Sequence, residues 1–174
     1  MIENIYSILL QDSYGDVNKV RADLIKSIQF SIDNGATGFL LSVEGYFNKM
    51  ALNICREFRK KYPYLSIRVV ITDLNMHFQR ETKKYKKLHN YYKDASILLY
   101  CLSPNQDKIF QINKFIVNQS LWCICYINKT VESFFKTLSY KHYINVINLK
   151  TLQKLCYHKK NDELPHQILK SIII

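Results

Sequence analysis

The chain has 174 residues, of which 48% are apolar and 22% are charged, and its net charge is +11. This length and composition are typical of one globular domain. They exclude a protein that crosses a membrane by an apolar helix, because no apolar run reaches the roughly 18 residues that a span needs. The excess of Lys and Arg favours contact with an anionic partner.

The N-terminal segment, MIENIYSILLQDSYGD, predicts a first strand at residues 5–10 and no secretion signal. Glu3 stands where a signal peptide would carry positive charge, and the apolar stretch is too short for one. We therefore expect a cytoplasmic protein with no membrane partner. A turn at 13–16 leads into a helix predicted at 17–33, which Asn34 and Gly35 end, because the residue after a helix often needs a positive φ.

Residues 35–71 predict a strand, a helix and a second strand in succession. Short apolar runs at 38–41 and 65–71 are typical of buried strands, whereas apolar residues recur at helical spacing over 47–61. Asn48 is the predicted N-cap of this helix, and Pro63 separates it from the next strand. Backbone N–H groups of the first helical turn would then point toward an anionic ligand.

The second half of the chain continues the alternation after a polar connection at 73–84. The predicted elements are a helical run at 84–93, a strand at 96–102, a helix at 107–118, a strand at 122–127, a helix at 130–141 and a strand at 144–149. The last part, 150–174, is predicted to be a helical tail, with a helical segment around 151–157 and an apolar end.

The five cysteines form no CxxC pair, and buried, reduced thiols are expected. Cys123 and Cys125 alternate along a predicted strand, so both face the same side, as a pair of soft-metal ligands would. No His or further Cys stands beside them at ligand spacing, so no metal is predicted.

Strands that alternate with helices predict right-handed crossovers and a mostly parallel sheet with helices on both faces. The expected fold class is α/β, a three-layer Rossmann-like sandwich in one domain that spans 1–174, with its core at about 4–149. Ligands of such sheets bind at the carboxyl ends of the strands, which here means the loops at 11–16, 42–48, 72–79 and 103–107.

The order of elements, together with GATGFLLSVEGYFNKMALNICREFRKKYP, resembles the SLOG superfamily, which includes the DNA-processing protein A fold and the Lonely Guy phosphoribohydrolases. The likeness covers roughly residues 4–149 and is nearest to the small stand-alone bacterial branch. Members carry a loop of the type Gly-x-Glu-Gly-x-Phe-Asp, to which Glu44, Gly45 and Phe47 correspond, while Ser42 and Asn48 replace Gly and Asp. The segment HNYYKDASILLY is similar to the family's Arg-Asn segment before its next strand. Asn90 matches the Asn of that segment, and His89 stands where Arg is common.

The resemblance implies a nucleotide or nucleotide-derived ligand across the loops that follow the strands. The predicted ligand-binding residues are Tyr14, Ser42, Glu44, Gly45, Tyr46, Asn48, Asp73, Asn90, Ser103 and Asn105. Tyr14 and Tyr46 both belong to predicted ligand-side loops, so either could cover a nucleobase. Glu44 is the candidate for a catalytic residue, as a general base or a ribose ligand, but its charge would equally stabilise the N-terminus of its own helix.

Departures from the family pattern favour binding or sensing over catalysis. The Gly-Gly-Thr loop of the family appears here as SPNQD at 103–107, and the Pro-Gly-Gly-x-Gly-Thr-x-x-Glu motif of the phosphoribohydrolases is absent. The whole chain has four glycines, so the backbone has few positions at which it could approach a pyrophosphate closely. We therefore expect a non-catalytic module without a cofactor, with a nucleoside monophosphate N-glycosidic hydrolase as an alternative.

A second alternative is binding of single-stranded nucleic acid by residues 80–93, RETKKYKKLHNYYK, which mix cations with tyrosines as phosphate-gripping, base-stacking surfaces do. The candidate cations are Arg80, Lys83, Lys84, Lys86 and Lys87. A solvated helix face would give the same composition. The apolar chain end and the surface aromatics favour a homodimer.

Overall fold

A computed structural model describes residues 3–10, 16–43, 45–72, 90–100, 103, 107–126, 143–149, 153–158 and 172–173. Within these ranges the elements are β1 (Ile5–Leu9), α1 (Val17–Asp33), β2 (Gly38–Ser42), α2 (Tyr46–Lys61), β3 (Ser66–Thr72), β4 (Ser96–Tyr100), α3 (Lys108–Asn118), β5 (Trp122–Cys125), β6 (Tyr143–Asn148), β7 (Gln153–His158) and β8 (Ile172–Ile173). The predicted helices and strands over these residues are confirmed to within one or two residues, apart from the C-terminal segment.

All described strands join one sheet in the order β4-β3-β2-β1-β5-β6-β7-β8. The six strands from β4 to β6 are parallel, and β7 and β8 are antiparallel additions at one side. The predicted α/β, mostly parallel architecture is confirmed. The carboxyl ends of β1 to β6 lie together, and we call this side of the sheet the carboxyl edge.

Side chains on the two faces of the sheet pack against different helices. Tyr6 of β1 belongs to the cluster that contains Leu24 of α1 and Ala51 of α2. Its neighbour Ile5 belongs to a second cluster, with Ile112 of α3. Helices therefore cover both faces, as predicted for a three-layer sandwich.

Chain direction explains the two layers of helices. The chain moves from β1 through β2 and β3 toward one side of the sheet, then returns past β1 to reach β5. Right-handed crossovers in opposite directions place their helices on opposite faces. β1 is consequently the strand at which the connections change direction, between β2 and β5.

Local capping explains why α1 has the predicted bounds. The Asp16 side chain accepts hydrogen bonds from the backbone N–H groups of Asn18 (2.9 Å) and Lys19 (3.2 Å) at the start of the helix. Gly35 follows its end with a φ of 83°, and its N–H donates to the Ile32 carbonyl at 3.0 Å. Both signals lie within a few residues of the helix ends, so the sequence alone reveals them.

The predicted helix around 151–157 is wrong, because β7 occupies residues 153–158 as a strand. It pairs with β6 in an antiparallel register that runs from Tyr143 opposite His158 to Asn148 opposite Gln153. Only four residues, 149–152, connect the two strands, so the chain returns directly beside β6. Ladder hydrogen bonds along six residue pairs outweigh a local helical preference.

The same sheet takes up part of the predicted helical tail, since Ile172 and Ile173 pair with β7. The predicted helix at 130–141 and most of the predicted helical run at 84–93 lie outside the described residues. In the part of the chain that the structure describes, no helix is both long enough and apolar enough to span a bilayer.

Gly38, the first residue of β2, lies where the neighbouring strands leave no space for a side chain. An added Cβ would lie 2.0 Å from the Ser66 hydroxyl oxygen, 2.6 Å from the Ser66 carbonyl oxygen and 2.9 Å from Ile5 Cδ1. We expect Gly38→Ala to lower the free energy of unfolding, measured by urea titration, by about 1–3 kcal/mol through overpacking.

Gly35→Ala is the matched control for this substitution, because its new Cβ meets no atom within 4 Å and only its φ of +83° is unfavourable. Ser66→Ala removes the nearest obstacle, so it should partly restore the stability of Gly38→Ala and not that of Gly35→Ala. Equal effects of Ser66→Ala in both backgrounds would contradict the predicted clash.

Candidate functional site

The candidate site is the connection from β2 to α2 at the carboxyl edge. β2 ends at Ser42, and α2 begins at Tyr46 with Gly45 as its N-cap residue. Gly45 has φ 84° and ψ 160°, a backbone conformation that is essentially restricted to glycine. The predicted importance of Gly45 thus has a geometric reason, because another residue here would strain the entry into α2.

The N-terminus of α2 differs from those of α1 and α3 in its cap. Asp16 caps α1, and the Asp107 side chain caps α3 by accepting from the Phe110 N–H at 2.6 Å. Gly45 has no side chain, and α2 has neither a side-chain cap hydrogen bond nor an acidic residue in its first turn. The positive end of the α2 dipole is therefore not offset by a carboxylate from the described residues of this turn.

Lys49 adds positive charge at the same helix end. It is the fourth residue of α2 and exposed, and it forms no ion pair with the part of the chain that the structure describes. A cation in the first turn is unfavourable with the helix dipole, whereas the cations Arg59, Lys60 and Lys61 in the last turn are favourable. An anion near the first turn would compensate both the dipole and Lys49.

Asn48 is not the N-cap of this helix, which corrects the sequence-based prediction. The helix begins two residues earlier, at Tyr46, so Asn48 is its third residue and is buried. Ser42 is buried at the end of β2, and Tyr46 is 61% exposed with its ring edge-on to Phe47 at 5.6 Å. The structure thus brings Ser42, Gly45, Tyr46 and Asn48 into one strand–loop–helix unit.

Ser103 and Asn90, two further predicted ligand-binding residues, belong to other parts of the chain. Ser103 follows β4, where its N–H donates to Gln111 Oε1 at 2.8 Å and its carbonyl accepts from Gln111 Nε2 at 3.1 Å. Asn90 is exposed and precedes Tyr91, whose carbonyl accepts a hydrogen bond from Arg56 in the third turn of α2. Asn90 is therefore placed beside the middle of α2, not beside its first turn.

The other predicted residues lie outside the described part of the chain. They are Tyr14, Glu44, Asp73 and Asn105 of the ligand site, and Arg80, Lys83, Lys84, Lys86 and Lys87 of the nucleic-acid segment. Their roles stay predictions, as do the single-stranded nucleic-acid partner and the homodimer.

Sequence reasoning missed the pairing of two arginines of α2 with Asp94. The Arg56 guanidinium contacts both carboxylate oxygens of Asp94, at 2.9 Å from Nε and 2.7 Å from Nη2, and lies 4.8 Å from the centre of the Tyr91 ring. Arg59 reaches the same carboxylate at 3.3 Å. These pairs cross 35 to 38 residues of sequence, so no local pattern reveals them.

This cluster changes the ionisation of its members. Hydrogen bonds from Arg56 hold the pKa of Asp94 below its usual value, and the bond to Asp94 raises the pKa of Arg56. The basic end of α2 is thus partly neutralised from within the chain. It is a poorer candidate for an anion site than the first turn.

The cysteines with described side chains are buried thiols, as predicted. Cys55, Cys123 and Cys125 form no disulfide. Burial raises the pKa of Cys55 to about 12 and that of Cys125 well above its usual value, so these thiols are poor nucleophiles at neutral pH. The described residues contain no group of three or more His, Cys, Asp or Glu side chains that could hold a metal ion.

Comparison of the chain with protein-family models gives no match, and comparison with curated proteins gives no similar sequence. The resemblance to the SLOG superfamily therefore stays a prediction, and the case for a functional site depends on the geometry of the carboxyl edge.

Asp94→Asn tests the arginine cluster. We expect the substitution to lower the free energy of unfolding at pH 7 by about 1–2 kcal/mol, because two partly buried guanidinium groups lose their charged partner. Since the pKa of Asp94 is lowered on folding, its contribution is present above about pH 4 and is lost as the pH falls through the lowered pKa.

The stability difference between the wild-type protein and Asp94→Asn should therefore shrink in urea titrations below about pH 4. Glu57→Gln is the matched control, because Glu57 pairs with Lys60 at 2.8 Å while both side chains are about 70% exposed; it should change stability little. A difference for Asp94→Asn that is independent of pH would contradict the assigned ion pair.

Proposed function

We propose that this protein binds a phosphate-bearing, nucleotide-class small molecule at the first turn of α2, and that it holds or senses the ligand without turning it over. The observation that carries the proposal is the start of α2 at Gly45, where a glycine-only backbone conformation leads into a helix with no side-chain cap. Backbone N–H groups in such a turn bind phosphate and carboxylate oxygens.

Charge supports the choice of α2 over the other two helices. A phosphate at the start of α1 or α3 would meet the carboxylates of Asp16 or Asp107, which already occupy the cap positions. Among the described residues, a phosphate at α2 would meet the helix dipole and Lys49; the neighbouring Glu44 lies outside the described residues. Coulomb repulsion and attraction thus favour the same helix, which also carries the loop that resembles the SLOG motif.

The nucleotide class is supported by Tyr46 and by the sequence resemblance. Tyr46 is the first residue of α2 and 61% exposed, so its ring is available to a base next to the phosphate position. Aromatic rings bind bases of any identity by stacking, typically with about 1–3 kcal/mol per base. Ligand specificity must then come from polar groups at the edge of the sheet.

The proposed lack of catalysis is supported by the described side chains that flank this turn. Ser42, Tyr46, Asn48 and Lys49 include no carboxylate or imidazole that could act as a general acid or base near neutral pH, whereas Glu44 lies outside the described residues. Hydrolysis of an N-glycosidic bond would depend on Glu44, and release of free base from a nucleoside monophosphate is the assay for that alternative.

Calorimetry against a ligand panel tests the proposal directly. We expect nucleoside monophosphates, cyclic nucleotides or NAD-derived compounds to bind at least tenfold more tightly than the corresponding nucleosides, because the phosphate supplies the contacts to α2. If no phosphate-bearing member of the panel binds, the proposed function is wrong.

Replacement of Tyr46 by Glu places a negative charge beside the proposed phosphate position. We expect Tyr46→Glu to bind the phosphate-bearing ligand about three- to tenfold more weakly than Tyr46→Gln, and 1 M salt should reduce the difference. Both variants lose the ring, so the comparison isolates the charge.

Tyr46→Glu should at the same time unfold at a slightly higher temperature than Tyr46→Gln, because an acidic residue in the first turn stabilises a helix. Equal affinities of the two variants would show that no ligand charge lies near this turn.

A further inference from the structure

β4 is the outer strand on its side of the described sheet. It pairs with β3 along all five of its residues, and no described strand lies on its other side. Ser96 is exposed, and Ile97 is 39% exposed although it belongs to the sheet. The outer side of such a strand carries backbone N–H and C=O groups with which another strand can pair. The outer side of β4 is therefore a candidate interaction surface.

The sequence of β4 has none of the features that usually protect an edge strand. Residues 96–100 read SILLY, without a charge, a proline or a glycine, in a chain that has 25 Lys and Arg residues. Charged residues, prolines and bulges usually keep an edge strand from pairing with another chain. An edge strand that lacks them is suited to accept a partner strand.

The opposite side of the sheet is completed by strands of the same chain. There β7 pairs with the parallel strand β6 in an antiparallel direction, and β8 pairs with β7. The apolar residues Ile172 and Ile173 are used in this way, so the chain end is not the place at which we expect a homodimer. On the β4 side, the described strands provide no equivalent antiparallel neighbour.

The lack of charge on β4 favours a second copy of this chain as the partner strand. Like charges that lie opposite each other destabilise a strand pair, and a strand without charges can pair with its own copy without this cost. Most homo-oligomers have two-fold symmetry, and a two-fold axis perpendicular to the sheet places two copies of β4 antiparallel. Ile97 lies on the face of Val69, the face covered by α1 and α2, and the axis keeps that face on the same side in both copies.

We propose that this protein forms a two-fold homodimer in which β4 pairs antiparallel with β4 of a second copy and Ile97 lies opposite Ile97 of that copy. One sheet then continues through both copies, and the exposed Ile97 side chain is buried. The net charge of +11 on each copy opposes the association, so the strand contact itself must supply the affinity. The dimer does not depend on the proposed ligand site.

Ile97→Lys tests the proposal because it places two like charges opposite each other at the interface. We expect the wild-type protein to be dimeric at about 100 µM in sedimentation equilibrium, and the dimer of Ile97→Lys to be at least about tenfold weaker. Salt screens the repulsion between the copies, so raising it from about 0.05 M to about 0.5 M should strengthen the wild-type dimer.

Ile109→Lys is the matched control. Ile109 is 58% exposed on α3 and belongs to no strand, and its substitution raises the net charge by the same amount. It should dimerise as the wild-type protein does. Circular dichroism of both variants checks that they are folded.

Ile97→Cys gives a second test that does not depend on a disruptive substitution. A short bismaleimide reagent should link two copies of this variant, because cross-strand neighbours have Cβ atoms about 4.5–5.5 Å apart. Wild-type protein and Ile109→Cys, treated with the same reagent, give the background from the natural cysteines.

A wild-type protein that is monomeric at about 100 µM overturns the proposal. A dimer that Ile97→Lys leaves intact, or that Ile109→Lys weakens equally, also overturns it, because the copies would then meet at another surface. If the wild-type protein is dimeric and Ile97→Cys is not linked above the background, the placement of the interface at β4 is wrong. These outcomes leave the proposed function unaffected, because none of them measures binding at α2.

Discussion

The pairing of β1 along both of its edges is the constraint on which the rest of the structure depends. β1 pairs Ile5 with Gly38 of β2 and Tyr6 with Trp122 of β5, and none of its residues is more than 8% exposed. Strands β1 to β3 are held level at their amino ends by Thr37, whose side chain and backbone bind Asn4 while its carbonyl accepts from the Ser66 N–H. Because the strands start level, their lengths decide the shape of the carboxyl edge. β2 has five residues and β3 has seven, so β3 extends two residues beyond β2 at the carboxyl edge.

Buried hydroxyl groups of this sheet differ in whether they are hydrogen-bonded. Toward the amino ends of the strands, the hydroxyl oxygens of Ser7 and Ser120 lie 2.8 Å apart and within 3.1 Å and 2.9 Å of the Trp122 carbonyl oxygen. These hydroxyls satisfy one another and join β1 to the segment that precedes β5. At the carboxyl end of β3, Thr72 has no such arrangement. An unpaired hydroxyl is not by itself the mark of a ligand site in this fold, because Ser27 in the middle of α1 also lacks a partner among the described residues.

The parts of the structure that sequence could predict are those with local causes. The bounds of α1 follow from Asp16 and Gly35, which lie next to its ends. The alternation of predicted strands and helices along the chain is enough to predict the parallel sheet. The N-cap of α2 is an exception, because a glycine cap carries no side-chain signal and the side chain of Asn48 predicts a cap three residues too late. The sequence predicts a helix in place of β7 because the pairing of β7 with β6 is a tertiary interaction. The pairing of Arg56 with Asp94 and the unsatisfied state of Thr72 depend on burial and distance, which a single sequence does not contain.

Electrostatics along the carboxyl edge is the main support for the proposed anion site at α2. The three described helices begin at this edge, so each directs the positive end of its dipole toward any ligand there. Two of them are offset by their own aspartates, in a chain whose overall charge is +11. Glycine is itself a preferred N-cap residue, and the neighbouring Glu44 lies outside the described residues, so helix stability does not require a further cap at α2. Two helices with carboxylate caps, and one without a side-chain cap among the described residues, are what the proposed anion site at Gly45 requires. At α2 an anion would meet less negative charge from the described residues than at the other two helix ends.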